Sequence, residues 1–298
     1  MKKIVIITGL TCSGKSALAL KLAKEYNGEI ISADSVQIYR GLDIGSAKET
    51  KDVRNIVPHH LIDIVNFDEN FNVSQFVECC MRTIIDIISR GKLPIIVGGT
   101  GLYIKALLDG YNFSNTGGNE DFRQELENLA KEKGNLAVWE KLNIINPEKA
   151  KTVHFNNLKR VIRYLEIEKF GRDEQSIKPL ENYEVCAVGL VADREQIYQK
   201  INTRVEKMLQ MGLENEVKGL ITAGAMRENQ SMNSIGYKEW FDYFEGKVDK
   251  ETTIELIKQH SRNYCKRQLT FLKTIPSVKQ LELVEAEREI RRFLDDRD

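Results

Sequence analysis

The hydrophobic positions in the first third of the chain follow two alternating periods. Short apolar runs at 4–7, 29–32 and 93–97 are typical of buried strands. Between them, apolar residues recur at helical spacing over 17–23 and 73–88. Strands that alternate with helices form right-handed βαβ units. The pattern therefore predicts an α/β fold, a parallel sheet flanked by helices.

The pattern changes at a loop-like segment around 111–119, where turn-forming residues accumulate. Helical segments without strands follow, and an apolar run typical of a strand resumes at 185–191. The rest of the chain is mostly helical. We therefore predict that residues 1–114 and 176–298 form one catalytic α/β body and that residues 115–175 form a helical insertion.

Composition limits the broad class of protein. The 298 residues are 42% hydrophobic and 30% charged, as in folded soluble proteins. No apolar run approaches the roughly 20 residues of a membrane span, and the first predicted strand leaves no room for a signal peptide. We expect a cytoplasmic protein without membrane association. The cysteines lack Cys-x-x-Cys spacing, which favours free thiols and disfavours a zinc site.

A glycine-rich segment between the first strand and the first helix predicts a P-loop. Backbone N–H groups of such a loop, together with the helix N-terminus, bind phosphate oxygens. Lys15 adds a positive charge, and the Ser16 hydroxyl is placed to bind Mg²⁺. The predicted ligands of a di- or triphosphate are Gly9, Thr11, Cys12, Ser13, Gly14, Lys15 and Ser16.

Two further loops follow predicted strands and should lie at the same edge of the sheet. Asp34 follows the second strand, where a carboxylate can be a metal ligand, a general base or a helix cap. The turn at 98–101 contains three glycines and Thr100. These glycines allow either a ligand to approach the backbone closely or a tight turn from strand to helix.

Two absent motifs narrow the class of P-loop protein. The strand at 93–97 ends in glycine where a Walker B motif has an acid, and no Asn-Lys-x-Asp motif is present. Both absences disfavour a GTPase or a motor ATPase, while a small-molecule kinase stays open. The pair His59 and His60 follows Pro58 in a predicted loop and is interpreted as structural more readily than as catalytic.

The total charge gives no sign of a nucleic-acid partner, because 44 basic residues balance 44 acidic ones. A local cluster of Lys159, Arg160 and Arg163 lies within about one turn of a predicted helix. Such a cluster is either a solvated helix face or a contact for a polyanion. A second basic face is predicted near the C-terminus, at Lys258, Arg262, Lys266 and Lys273. Two such faces in a phosphate-binding protein favour polyanion contact.

Several motifs together resemble one family, the bacterial tRNA dimethylallyltransferases, also called tRNA isopentenyltransferases. The most specific are Asp-Ser-x-Gln-x-Tyr at 34–39 and Gly-Gly-Thr-Gly-Leu-Tyr at 98–103. The resemblance covers nearly the whole chain and continues at 57–64, 160–166, 234–239 and 264–270. It departs from the family at Leu10 and Cys12 in the loop, at Ser16 in place of threonine, and at 170–173 and 271–273.

The resemblance implies a P-loop NTPase-like fold and transfer of a dimethylallyl group from dimethylallyl diphosphate to a tRNA. The acceptor would be N6 of the adenine 3′ of the anticodon, and the P-loop would hold the diphosphate with Mg²⁺. Asp34 would be the general base and Thr100 would assist it. The expected partner is the anticodon stem-loop, and a monomer is expected. The implied tRNA-binding residues are Asp34, Ser35, Val36, Gln37, Thr100, Arg123, Lys159, Arg160 and Arg163.

Two alternatives stay open beside this resemblance. A small-molecule or nucleotide kinase would use the same P-loop on ATP. A nucleotide-gated RNA-binding protein would need no catalytic base. The retention of Asp34 and Thr100 argues against the second alternative.

Overall fold

Six parallel strands form one sheet in the computed structural model, which describes residues 2–110, 119–171 and 178–296. The order across the sheet is β3-β2-β4-β1-β5-β6, with β1 and β4 at the centre. The strands are β1 (Lys3–Gly9), β2 (Gly28–Ser32), β3 (His59–His60), β4 (Leu93–Val97), β5 (Glu184–Leu190) and β6 (Lys279–Leu281).

Helices connect these strands and fill the rest of the described chain. Among the described residues, no helix is both long and apolar enough to cross a membrane. The α-helices are α1 (Lys15–Glu25), α2 (Lys51–Ile56), α3 (Val73–Ser89), α4 (Gly101–Asp109), α5 (Glu120–Lys133), α6 (Asn135–Ile145), α7 (Pro147–Lys151), α8 (Leu158–Phe170), α9 (Arg194–Gln210), α10 (Leu213–Thr222), α11 (Glu239–Phe244), α12 (Lys250–Leu272) and α13 (Leu283–Asp295), with a 3₁₀ turn at Ser231–Asn233.

The central strands are apolar on both faces because helices cover the sheet on both sides. Val5 of β1 pairs with Ile95 of β4 on one side and with Cys186 of β5 on the other. On one face, α1 and α13 cover these strands with apolar side chains that include Leu22 and Ile290. Because all strands are parallel, the loops that follow them emerge at one edge of the sheet.

The predicted α/β fold is confirmed, and two local predictions need correction. His59 and His60 were interpreted as loop residues, but they form the edge strand β3, paired with Ile30 and Ile31 of β2. Helix α13 was not predicted, although its apolar face packs on the sheet. The short edge strand has too few residues to show an alternating pattern.

Contacts between residues divide the chain into two compact units, Met1–Gly110 with Lys178–Asp298, and Tyr111–Ile177. Residues 111–118 and 172–177, where the boundaries of the insertion were predicted, lie outside the described residues. Within the second unit, α5, α6 and α8 share a core that includes Leu126, Leu142 and Val161.

Candidate active site

The phosphate loop connects β1 to α1 as the sequence predicts. Gly9 has φ +120° and Gly14 has φ +96°, backbone conformations that favour glycine. A Cβ atom on Gly9 would also collide with the backbone of Leu190 in β5. These two glycines therefore shape the loop, and α1 begins directly after it at Lys15.

Lys15 folds back over the loop. Its Nζ donates hydrogen bonds to the carbonyl oxygens of Leu10 and of Gly9, the latter at 3.1 Å. Burial of the ammonium group, together with the nearby charge of Arg204, lowers the pKa of Lys15 from 10.5 to about 8. The charged form of Lys15 is therefore destabilised in the ligand-free loop, and a bound anion would stabilise it.

Two residues from distant parts of the chain complete the phosphate loop. The Arg204 guanidinium of α9 donates to Thr11 Oγ1 at 3.0 Å and lies 3.9 Å from Cys12 Sγ. The backbone N–H of Thr11 donates to Gln268 Oε1 at 2.8 Å. Neither Arg204 nor Gln268 was among the predicted site residues.

Ser13 places an unsatisfied donor in the same loop. Its hydroxyl oxygen is buried and has no hydrogen-bond partner among the described residues. A buried polar group without a partner is costly unless a ligand satisfies it. Ser16, in the first turn of α1, is exposed and faces the same cavity as Ser13.

Asp34 lies two residues beyond the end of β2, and its carboxylate organises the loop there. Its Oδ1 accepts hydrogen bonds from the backbone N–H groups of Val36, at 2.9 Å, and Gln37, at 3.4 Å. These bonds close a turn at 35–38, and the structure describes no helix there, so the helix cap considered from the sequence is not present. The turn engages one carboxylate oxygen only and does not exclude a role as general base, which stays a prediction.

The loops after β2 and β4 interlock through Thr100 and the glycines beside it. Thr100 Oγ1 accepts from the backbone N–H of Ser35 at 3.0 Å and lies 3.3 Å from Ser35 Oγ. A Cβ on Gly98 would collide with Ala33, and one on Gly101 with the Phe271 ring. Packing within the protein thus accounts for Gly98 and Gly101. Gly98 and Gly99 also line the cavity that Ser16 faces, so close approach of a ligand to this turn stays a prediction.

Gln37 holds the wall of the site through its amide group. Ser32 Oγ donates to Gln37 Oε1 at 2.9 Å, and Gln37 Nε2 donates to Ser46 O at 3.3 Å. The adjoining loop is fixed by Glu216 of α10, whose carboxylate accepts from three consecutive backbone N–H groups at 43–45 and from Tyr237 OH. This loop is therefore held in one conformation by a single carboxylate.

A cavity of about 510 Å³ brings most of the predicted residues together. Its lining includes the phosphate loop from Thr11 to Ser16 and the segment from Asp34 to Gln37. Gly9 and Thr100 do not line it, but Thr100 is hydrogen-bonded to Ser35, which does. One wall is apolar and comes mainly from α9 and α12: Ile201, Val205, Met208 and Ile257.

The two adjacent histidines differ in their surroundings. His59 lines it, and burial lowers the pKa of this imidazole. His60 instead pairs with the buried Glu29 at 2.7 Å, as do Arg90 and Lys92. The structural interpretation therefore holds for His60, while His59 belongs to the cavity wall.

The predicted basic residues of the second unit differ in their contacts. Arg123 and Arg163 both bind Glu166, a carboxylate only 1% exposed, with Arg123 bidentate at 2.6 and 3.0 Å. Arg160 donates to Tyr164 OH at 3.0 Å. Lys159 has no ion-pair partner among the residues that the structure describes. Two of these four cations therefore have a structural role.

The fold and the site define a phosphate-binding enzyme of the P-loop type. The phosphate loop follows a central strand of the parallel sheet, and the loop that contains Asp34 lies at the same edge. The family described as IPP transferase matches residues 37–275. The chain belongs to this family.

Relatives and solved structures agree with that assignment. A tRNA dimethylallyltransferase of Bacillus anthracis is 44% identical over 99% of this chain and 96% of its own length. The tRNA isopentenylpyrophosphate transferase structure from Bacillus halodurans is 41% identical, with a TM-score of 0.73, over 99% of this chain and 96% of its own. A eukaryotic dimethylallyltransferase acting on tRNA is 28% identical, with a TM-score of 0.81, over 100% of this chain and 81% of its own.

Proposed function

We propose that this enzyme transfers a dimethylallyl group from dimethylallyl diphosphate to N6 of the adenine 3′ of the anticodon in tRNA and releases diphosphate. The names and acceptor of its relatives support the reaction class. The observation that carries the proposal is a carboxylate, Asp34, that lines the same cavity as a cationic phosphate loop.

The phosphate loop would hold the diphosphate, which is the leaving group. Negative charge grows on the diphosphate as its bond to carbon breaks, so donors fixed around it stabilise the transition state. Lys15 and Arg204 supply two cations, and the Ser13 hydroxyl supplies a donor that has no partner within the described protein.

Mg²⁺ fits this loop by the chemistry of its donors. Mg²⁺ is commonly bound through one or two protein oxygens together with phosphate oxygens and water, without an all-protein cage. The Ser16 hydroxyl, exposed and facing the cavity, is the protein oxygen that would hold it. When bound, the ion would neutralise part of the charge on the departing diphosphate.

The apolar wall of the cavity suits the hydrocarbon part of the substrate. Ile201, Val205 and Met208 lie at i, i+4 and i+7 on α9, the helix that also supplies Arg204. One helix thus presents a cation to the diphosphate and an apolar stripe to the dimethylallyl chain. Such a wall would also exclude water, which could otherwise intercept the carbon as the diphosphate leaves.

Asp34 would complete the transfer. A bond forms between the adenine N6 and the carbon that carries the diphosphate, while the bond between that carbon and the diphosphate oxygen breaks. One of the two N6 protons passes to the carboxylate of Asp34, and the other stays on the alkylated nitrogen. Because Oδ1 is engaged by the loop backbone, Oδ2 is the oxygen that would accept it.

The acceptor must enter the cavity as an unstacked base, because N6 lies within the stacked bases of an RNA loop. Recognition of an anticodon stem-loop by shape and phosphates requires local basic groups and not a high net charge. Lys159 and Arg160 on α8 are available for such contacts. We expect a monomer to suffice, and light scattering of the purified enzyme tests this.

Product analysis at the nucleoside level tests the proposed reaction. The enzyme is incubated with dimethylallyl diphosphate, Mg²⁺ and an unmodified anticodon stem-loop, and the digested RNA is examined by mass spectrometry. We expect one modified nucleoside, dimethylallyladenosine. A stem-loop with guanosine at the target position is the control and should stay unmodified. Modification of that control, or of no nucleoside in either RNA, would overturn the proposal.

A further inference from the structure

Cys12 places a thiol inside the phosphate loop, at one of the positions where this chain departs from its family. The side chain is partly exposed and lines the cavity. Its backbone has φ +60°, a conformation that residues other than glycine rarely adopt. The Arg204 guanidinium lies 3.9 Å from Cys12 Sγ and donates to it. A sulfur nucleophile therefore stands beside a cation at the diphosphate site, and a neighbouring cation favours the reaction of a thiol.

A second thiol faces the same loop from α12. Gln268 of this helix accepts a hydrogen bond from the backbone N–H of Thr11 at 2.8 Å. Cys265 precedes Gln268 by three residues, so both side chains lie on the same face of the helix. Cys265 is buried in a small apolar cluster, and Cys12 packs against that cluster. The other buried members of the cluster are Leu10, Ile197 and Ile201.

The two thiols differ in their access to solvent. Cys12 can be reached through the cavity, whereas Cys265 is only 5% exposed. Burial, together with the nearby thiol of Cys12, raises the pKa of Cys265. An oxidant in solution therefore meets Cys12 first, and Cys265 can react only with a group beside it. The remaining cysteines lie outside this cluster, with Cys79 and Cys80 on α3 and Cys186 on β5.

We propose that Cys12 and Cys265 are a redox pair that closes the phosphate loop to diphosphate when a hydroperoxide oxidises the protein. The Cys12 sulfur attacks the peroxide, the O–O bond breaks, and the thiol proton passes to the departing oxygen, which leaves as an alcohol or as water. This step forms a sulfenic acid on Cys12. The Cys265 sulfur then attacks the Cys12 sulfur. An S–S bond forms, the S–O bond breaks, and the released hydroxide takes the Cys265 proton and leaves as water. The two thiols lose two electrons, which reduce the peroxide.

A disulfide at this point would change the shape of the loop. It holds the two Cα atoms within about 4.4–6.8 Å and draws Cys12 Sγ away from Arg204. The loop backbone is then tethered to α12 and can no longer direct its N–H groups at a phosphate. By linkage, a diphosphate that already occupies the loop should slow the oxidation. The inference goes beyond the proposed function and requires only that the loop binds diphosphate.

Oxidation of the reduced protein with excess hydrogen peroxide tests the pair. Digestion without a reductant, followed by mass spectrometry, should show the peptides of Cys12 and Cys265 joined. Calorimetry with inorganic pyrophosphate and Mg²⁺ should give a Kd raised by about tenfold or more, the factor for about one lost hydrogen bond to a charged phosphate. Dithiothreitol should restore the original Kd. Pyrophosphate added before the peroxide should slow formation of the joined peptides.

Variants separate the pair from oxidation of Cys12 alone. The disulfide protects Cys12 from further oxidation, so the original protein should recover fully with dithiothreitol. In Cys265→Ala the same peroxide treatment should carry Cys12 to the sulfinic acid, which dithiothreitol does not reverse. Cys265→Ser serves the same purpose if the alanine variant does not fold. Cys79→Ala removes the partly exposed thiol on α3, and it is the matched control, expected to respond like the original protein. Each variant is compared with its own untreated sample.

Three results would overturn the proposal. They are the absence of a bond between Cys12 and Cys265, a bond that leaves the pyrophosphate Kd unchanged, and full recovery of the oxidised Cys265→Ala variant with dithiothreitol. Failure of the proposed function looks different. In that case the reduced protein binds pyrophosphate but transfers no dimethylallyl group, and the peptide and Kd data on the redox pair keep their meaning.

Discussion

Arg204 donates a hydrogen bond to the side chain of Thr11 at 3.0 Å, although 193 residues separate them. This contact places a guanidinium beside a loop that already contains the partly buried Lys15. Two cations this close favour a ligand with more than one negative charge. A diphosphate meets that requirement.

Replacement of Arg204 should therefore weaken binding of the diphosphate. For Arg204→Gln we expect the KM for dimethylallyl diphosphate to rise by about 10- to 100-fold, the range for a lost hydrogen bond to a charged group. The KM for RNA should change little. Arg204→Lys keeps the charge but loses the planar guanidinium. Its KM for dimethylallyl diphosphate should lie between those of the original enzyme and of Arg204→Gln. Steady-state kinetics with each substrate varied in turn would show this, and an RNA-specific defect would contradict it.

The lowered pKa of Lys15 predicts a pH dependence of diphosphate binding. The free enzyme loses this cation as the pH rises through about 8. Above that pH we expect kcat/KM for the diphosphate to fall by up to tenfold per pH unit. Lys15→Arg keeps its charge throughout and should remove this limb of the profile. A profile of the Arg variant that matches the original enzyme would rule out Lys15 as the titrating group.

The lowered pKa of Lys15 also predicts how the stability of the ligand-free protein depends on pH. Between about pH 8 and 10.5 the unfolded chain keeps a proton on Lys15 that the folded chain has released. The contribution of Lys15 to the free energy of unfolding should therefore rise with pH across this window. Urea unfolding of the original protein and Lys15→Met at several pH values isolates that contribution, which the methionine variant should lack.

Asparagine is an informative substitute for Asp34. Its side-chain oxygen can still accept from Val36 and Gln37, so the loop should keep its conformation. It cannot accept a proton, and we expect single-turnover transfer to slow by about 10²- to 10⁴-fold. Inhibition by inorganic pyrophosphate should be unchanged. A rate near that of the original enzyme would leave Asp34 only with its role in closing the turn at 35–38.

Mg²⁺ dependence tests the role of Ser16. Ser16→Ala should raise the Mg²⁺ concentration that gives half-maximal activity by about tenfold or more, equivalent to at least about 1.4 kcal/mol. Ser16→Thr keeps the hydroxyl and should behave like the original enzyme. Titration of Mg²⁺ at saturating substrate distinguishes these cases. An equal dependence in all three proteins would exclude Ser16 as the magnesium ligand.

Arg123 and Lys159 should differ in what their substitution changes. Arg123→Gln leaves the buried Glu166 with one fewer partner and should lower the free energy of unfolding by about 1–2 kcal/mol, since the guanidinium is partly exposed. Lys159→Gln should leave stability unchanged and reduce the salt dependence of RNA binding by about one charge. Urea unfolding and RNA titration at several salt concentrations check both, and the reverse pattern would contradict the structural role of Arg123.

The sequence predicts the parts of the site that are local in the chain. The phosphate loop and the position of Asp34 after β2 follow from a strand, a short motif and a helix that are adjacent. Gln268 lies in the segment 264–270 that carries part of the resemblance, but the sequence does not assign it to the phosphate loop, because its contact with Thr11 spans 257 residues. Only the folded chain brings such residues together.

The histidine pair shows a second limit. His59 and His60 are adjacent in sequence, and the sequence analysis assigns both of them the same structural role. In a strand, successive side chains point to opposite faces, so β3 directs His59 to the cavity and His60 to Glu29. A two-residue strand at the edge of a sheet has no alternating pattern from which this could be predicted. The two roles appear only when the pairing with β2 is known.

The central claim is that the phosphate loop holds a leaving group and not a nucleotide cofactor. The most direct measurement is one incubation with dimethylallyl diphosphate and ATP, each carrying a different label, together with Mg²⁺ and the anticodon stem-loop. We predict that the dimethylallyl label enters the RNA with an equal release of diphosphate and that the ATP stays intact. Consumption of ATP without transfer of the dimethylallyl label would contradict the account.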